Sequence, residues 1–218
     1  MSNFLHLQIS AVGLEIRNAA EIGVYSFESS TLRHFFGTST TCHLYEPVPV
    51  FCDAIQEKIR IYSNVELRRY ALADRDGSLS LCLAGPSTFD SSQDAAPAIN
   101  RDGYQRESSR ILTVPCFDFF DKDPGDYDLV TIDTEGSEYS ILSRMRSRPL
   151  VISIETQSRS YVNPKLQEIK AWMHSNQYRV WAWDDTDTIF IKHSRLPIGL
   201  KNDLKAWYHN KKFFGGEL

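Results

Sequence analysis

Apolar and polar positions along the chain follow two periods in alternation. Short, β-branched runs read as buried strands, and segments whose apolar residues recur every three or four positions read as helices. Two runs are almost continuous, Leu129 through Ile132 and the segment RPLVISIETQ ending in Glu155, as interior strands of a parallel sheet require. Each is followed by a helical pattern: Ser137 as a cap before Ile141, Leu142 and Met145, then Asn163 and Pro164 before Leu166, Ile169, Trp172 and Met173. Earlier, one strand ends at Glu21-Ile22-Gly23 and leads to a helix-like run with Leu32, Phe35 and Phe36 on one side. A second, through His43, Leu44 and Tyr45, ends at Glu46 before a helix opened by Pro47 and Pro49.

NVELRRYALADRDGSLSLCLAG predicts a third strand, a turn at Asp74 to Gly77, and a partner strand carrying Leu79, Leu81 and Leu83. ILTVPCFDFFDK predicts a strand interrupted by Pro115 and an aromatic turn that buries Phe117, Phe119 and Phe120. YRVWAW and TIFIKH form an antiparallel hairpin around residues 184–187. Between them lies the polar stretch from Pro86 to Arg110, a long loop of the kind that serves as a lid or stays disordered. Residues 1–18 fit either a strand or one face of an irregular helix. The tail from 196 to 218 either packs on the body, serves an oligomer contact or stays unfolded.

At 218 residues the chain suits one domain spanning 1–218. A net charge of -4 argues against non-specific binding of nucleic acid, which rests on a basic surface. Cys42, Cys52, Cys82 and Cys116 occur singly, without zinc spacing, which suits reduced thiols and a cytoplasmic location. The start MSNFLHLQIS has no signal-peptide pattern, and no segment is apolar for long enough to suggest a membrane span.

In a parallel sheet, ligands bind beyond the carboxyl ends of the strands. Four strand ends here carry carboxylates: Glu21, Glu46, the pair Asp133 and Glu135, and Glu155. Glu46 is placed to accept both hydroxyls of a ribose, and Gly23 lets backbone approach a nucleoside-type cofactor. The residues alone therefore predict an α/β protein that holds a small nucleoside-containing ligand at its strand ends. Short polar residues at such places also serve as ordinary caps and turn formers.

The stretch IDTEGSEYSIL resembles the I-D-x-E-G-x-E-x-x-x-L signature of the FkbM-type family of S-adenosylmethionine-dependent methyltransferases. Tyr45-Glu46-Pro47 resembles the family's F-E-P, ALADRDGSLSL its A-L-x-D-x-x-G-x-x-x-L, and Glu21 to Phe27 its D/E-x-G-x-x-x-G, with Phe27 in place of the second glycine. The resemblance covers residues 21–193 and implies a three-layer, Rossmann-like class I methyltransferase fold, its mostly parallel sheet closed by a C-terminal antiparallel hairpin. It implies S-adenosylmethionine as cofactor, contacted by Glu21, Gly23, Tyr25, Ser26, Glu46, Ala71, Leu72 and Asp133, and a small-molecule acceptor, a sugar or metabolite hydroxyl. In the family a serine-rich turn lies near the ligands, which makes Ser87, Ser91 and Ser92 candidate contacts.

A neutral alcohol must lose a proton when it is methylated, which calls for a base or a metal. Asp133, Glu135 and Glu155 are the candidates, Asp133 first, with Asp133 and Glu155 as oxygen ligands if Mg2+ takes part. Two other readings stand beside this one. The absence of G-x-G-x-x-G after strand one counts against an NAD-binding or nucleotide-sugar enzyme. Phe27 keeps open a non-catalytic module of the same fold, because a bulky side chain there can fill the methionine pocket.

Overall fold

The computed structural model describes residues 2–94, 96–100, 103–105, 110–157, 161–184, 186–195, 208–209 and 211–215. Its main sheet has seven strands: β1 (Asn18–Ile22), β2 (Thr41–Tyr45), β3 (Val65–Arg68), β8 (Leu129–Ile132), β9 (Val151–Glu155), β10 (Tyr178–Asp184) and β11 (Asp187–Lys192). Their spatial order is β3-β2-β1-β8-β9-β11-β10. All neighbours run parallel except β11, which is antiparallel to both β9 and β10. The mostly parallel sheet with its terminal hairpin is as expected.

The continuous apolar runs follow from burial on both faces. Ala20, Ile22, Val130, Ile132, Ile152 and Ile154 pack toward α5 (Glu138–Ser143) and α6 (Leu166–Ser175). Their alternates Ala19, Leu129 and Val151 pack toward α1 (Ser2–Ala11) and α2 (Pro49–Ile59). Phe213, from the C-terminal tail, is fully buried in the first core and meets Phe190 edge-on, so this part of the tail packs on the body.

Four local expectations are corrected. The hairpin predicted across Asp74 to Gly77 does not pair with itself. A second sheet of order β4-β7-β5-β6 inserts β7 (Arg110–Asp118) between β4 (Ala71–Ala73) and β5 (Gly77–Leu83), with β6 (Phe89–Asp90) at the edge. Cys116 of β7 is the register partner of both Ala71 and Gly77. β7 also runs unbroken through Pro115, opposite Ser78.

After β1 there is no α-helix, only a 3-10 turn at Arg33–Phe35, although Leu32, Phe35 and Phe36 are buried as the pattern required. Phe119 is buried, but Phe120 is exposed beneath the guanidinium groups of Arg144 and Arg146. The long loop contains a 3-10 turn at Gly85–Ser87, β6 and the short helix α3 (Pro97–Asn100); its residues 95, 101–102 and 106–109 lie outside the described residues. No described helix is long and apolar enough to cross a membrane, and all four cysteines are buried and outside any disulfide.

Candidate functional site

A cavity of about 860 Å³ opens at the carboxyl ends of β1, β2, β8 and β9. One half lies between the loops after β1 and β2 and the small sheet. There Val48, Phe51, Tyr70, Ala71 and Leu72 make an apolar slot beside Glu46.

Glu46 is 4% exposed, and burial raises its pKa while backbone N–H groups oppose the shift. Its Oε2 accepts from Tyr25 N at 2.9 Å and its Oε1 from Val48 N at 2.8 Å. The residue thus has a structural task that its position before proline did not suggest: it ties the loop after β1 to the start of α2. A carboxylate has about four acceptor sites, so these bonds leave capacity for ligand hydroxyls. An apolar slot next to such a carboxylate fits a nucleoside.

Glu21 also lines the cavity, but its carboxylate serves the loop that follows, accepting from Ser30 Oγ at 2.6 Å, Thr31 N at 2.7 Å and Leu32 N at 3.3 Å. Burial pushes its pKa up to about 7. Gly23 has φ +87, and a Cβ there would stand 1.8 Å from the Asp133 carbonyl oxygen. The neighbour that demands glycine is therefore the loop after β8, where a cofactor had been expected. Tyr25 lines the cavity in a left-handed conformation (φ 59), held by the bond to Glu46 and an edge-on contact with Phe51.

Ser26 does not line the cavity; its hydroxyl bonds to Ser29, which does. Phe27 is turned away as well. Half-buried, it packs with Phe36 and Tyr62 against the core on the α1 side and leaves the cavity open, which removes the feature that favoured a non-catalytic module. Ser87 lines the cavity, whereas Ser91 and Ser92 do not.

The second half lies over β8, β9 and β11. Ile132 pairs with Ile154, so Asp133 and Glu155 emerge side by side, and Glu155 pairs with Asp187. Asp133, Glu135 and Glu155 all line the cavity. Glu135 is 8% exposed and left-handed (φ 57), a conformation that costs a non-glycine residue on the order of 1–3 kcal/mol and is concentrated at functional sites.

The loop holding it is organised by Glu138, to which no role had been assigned. Fully buried, Glu138 accepts from Thr134 N and Gly136 N at 2.9 Å and from Asn163 Nδ2 at 2.7 Å. Ser137, expected to cap α5, makes no side-chain cap bond. The signal lay in the motif itself, as the second glutamate of E-G-x-E.

Oxygens of Asp133, Glu138 and Glu155 approach within 4.8 Å of one another. Both oxygens of Glu138 already accept hydrogen bonds, including a second from Gly136 N and one from Thr134 Oγ1, so the trio does not fit a divalent cation, which needs open carboxylate oxygens. The Mg2+ site expected on Asp133 and Glu155 is not supported.

Sequence reading passed over Thr131, Ser153, Trp183 and Lys212, which line this half together with Asp187 of the hairpin turn. Ser153 Oγ donates to Asp187 Oδ2 at 3.1 Å, and the Lys212 ammonium lies 5.3 Å from the Trp183 ring centre. Thr131 is 5% exposed and its hydroxyl has no hydrogen-bond partner among the described residues; a buried group in that state costs about 1–3 kcal/mol. Single polar residues inside the apolar runs LVTI and VISIE were the available signal.

Comparison with known families matches residues 19–180, about three-quarters of the chain, to the Methyltransferase FkbM domain. No curated protein sequence matches. Solved structures that match include the methyltransferase domain of bacterial CtHen1 (7% identity, 87% of this chain and 95% of that one, TM-score 0.46). Another is the N-methyltransferase NodS from Bradyrhizobium japonicum WM9 (10%, 88% and 93%, TM-score 0.44). A third is a mutant of MtNAS in complex with S-adenosylmethionine (9%, 87%, TM-score 0.42), of which this chain spans 60%.

Proposed function

The chain belongs to the FkbM methyltransferase family, and on that premise we propose that it moves a methyl group from S-adenosylmethionine to a hydroxyl of a sugar or other small metabolite. The observation that carries the proposal is the two-sided cavity. Glu46 and an apolar slot stand on one side, and carboxylates and hydroxyls gather on the other. Bound in the first half, the cofactor supplies a methyl group on a positively charged sulfur.

The chain's own residues bind, align and exclude water. Glu46 accepts the ribose hydroxyls, Ala71 and Leu72 face the adenine, and Gly23 and Tyr25 shape the backbone around the methionine portion. Ser29 takes the contact first given to Ser26. Glu21 acts indirectly, by holding the loop from Ser30 to Leu32. Asp133 sits where the two loops meet and is the first candidate to receive the acceptor's proton, with Glu135 and Glu155 beside it.

Incubation with methyl-labelled S-adenosylmethionine and a panel of sugars, followed by fragmentation mass spectrometry, tests the reading. The expected product carries its new methyl on oxygen. Label found on nitrogen or carbon overturns the O-methyl assignment, and label retained in the cofactor under all conditions overturns the enzyme.

A further inference from the structure

After α6 the chain returns to the cavity twice, through the hairpin of β10 and β11 and through the tail. Of the tail, residues 208–209 and 211–215 are described, and aromatic contacts hold them to the body. Phe213 is 1% exposed, meets Phe190 of β11 edge-on with ring centres 5.3 Å apart, and has the Lys170 ammonium of α6 4.8 Å from its own ring centre. Phe214 stands edge-on to His174 of the same helix. His209 is buried, with its ring 4.3 Å from that of Trp183 on β10. An aromatic ring removed from water is a strong anchor, because it takes more apolar area out of solvent than most side chains.

These anchors fix where Lys212 stands. It directly precedes Phe213, lines the cavity over β8, β9 and β11, and holds its ammonium 5.3 Å from the Trp183 ring centre. The electron-rich face of an indole attracts a cation, which steadies an otherwise flexible stem at the cavity. Trp183 lines the same half, and its buried indole N–H has no hydrogen-bond acceptor among the described residues.

An ammonium and an indole both donate hydrogen bonds and accept none, whereas an ionised carboxylate only accepts. The hairpin and the tail therefore bring donors to a half whose strand ends bring acceptors. A hydroxylated molecule uses both kinds of partner, since each hydroxyl accepts as well as donates. Trp183 and Lys212 also lie beyond residues 19–180, the stretch matched to the family, while Glu46, Phe51, Ala71 and Leu72 of the other half lie within it. That division suits a cofactor held by the common part of the fold and an acceptor chosen by what is added to it.

We propose that the tail forms a wall of the acceptor site, and that Lys212 is a specificity-determining residue whose ammonium donates to an oxygen of a polyhydroxylated acceptor beside the Trp183 indole. The proposal rests on the methyl-transfer reading above and gives the tail and Lys212 a part in it. It concerns acceptor binding, with the proton left to the carboxylates at the rim.

The experiment compares the native protein with three variants. Lys212→Met keeps a long stem without N–H groups, Lys212→Arg keeps a charged donor, and Phe213→Ala removes the anchor. Lys212 is exposed, so its replacement leaves the core intact. S-adenosylmethionine affinity is read by calorimetry, folding by thermal melting, and KM and kcat by methyl transfer to a panel of methyl glycosides. Lys212→Met should raise KM about tenfold, the worth of one hydrogen bond, with kcat and cofactor affinity within about twofold. Lys212→Arg should stay within about threefold of the native KM. Phe213→Ala should raise KM at least as far as Lys212→Met and still bind the cofactor.

An unchanged KM in Lys212→Met overturns the contact. A rise of the same size in Lys212→Arg assigns the effect to shape instead of the donor and also overturns it. A parallel loss of cofactor affinity moves Lys212 to the cofactor and overturns it as well. A folded Phe213→Ala protein with the native KM shows that the tail is no wall of the site. Methylation of no panel member by the native protein is a separate result: it defeats the methyl-transfer reading itself, and the proposal falls with it.

Discussion

The two halves of the cavity are built in opposite ways. On the side proposed for the cofactor, Glu21 and Glu46 accept backbone N–H groups and so fix the shape of the loops around them before any ligand arrives. On the other side, carboxylates gather at one rim above a threonine hydroxyl with no partner among the described residues. A cofactor common to a family suits a rigid, self-satisfied frame. An acceptor can be chosen by a few side chains that the ligand itself completes.

Gly23 is where the halves touch. Replacing it with alanine puts a Cβ 1.8 Å from the Asp133 carbonyl oxygen in a left-handed conformation. The expected loss is at least about 3 kcal/mol, a large fraction of a domain's usual stability of roughly 5–15 kcal/mol. Thermal denaturation reads it, and a midpoint near that of the native protein would mean that the two loops are not in contact.

Glu138→Ala comes next. It leaves Thr134 N, Gly136 N and Asn163 Nδ2 without their acceptor, at a cost of about 3 kcal/mol measured by denaturant titration. An effect under about 1 kcal/mol would show that this carboxylate does not organise the loop.

A pH response is expected from the Glu21 side of the cavity. Folding raises the pKa of Glu21 from 4.5 to about 7. Between those values the folded protein keeps a proton that the unfolded chain has released. This group's contribution to stability is therefore fully present below pH 4.5 and is lost as pH rises toward 7, by roughly 3 kcal/mol in all. Glu21→Gln should flatten that part of the stability profile; an unaltered slope assigns it to other groups. The smallest effect concerns Phe27. Phe27→Ala should lower stability by about 2 kcal/mol through lost packing and leave S-adenosylmethionine affinity within about twofold, since the half-buried ring packs against the core, away from the cavity. A marked gain in affinity would place the ring in the cofactor's path after all.

The strands of the main sheet and the carboxylates at their ends were legible because each rests on a local pattern, an apolar run with a polar end. The small sheet was not. β4 and β5 are close in sequence, yet the strand between them, β7, arrives some thirty residues later, and local turn chemistry carries no record of such a partner. Glu46 was located correctly but half understood, since its bonds to Tyr25 and Val48 exist only once the loops have folded together. Thr131 and Ser153 were visible as polar breaks in apolar strands. Their meaning required the register that aligns them with Glu21 on one rung.

The central claim is that the Glu46 half holds S-adenosylmethionine. Calorimetric titration of the native protein and of Glu46→Ala, both checked by thermal melting to be folded, tests it directly. The account predicts micromolar binding, on the order of -8 kcal/mol, weakened about a hundredfold in the variant by the loss of the carboxylate's hydrogen bonds to the ligand. Absence of binding to the native protein, or equal affinity in the two proteins, would contradict it.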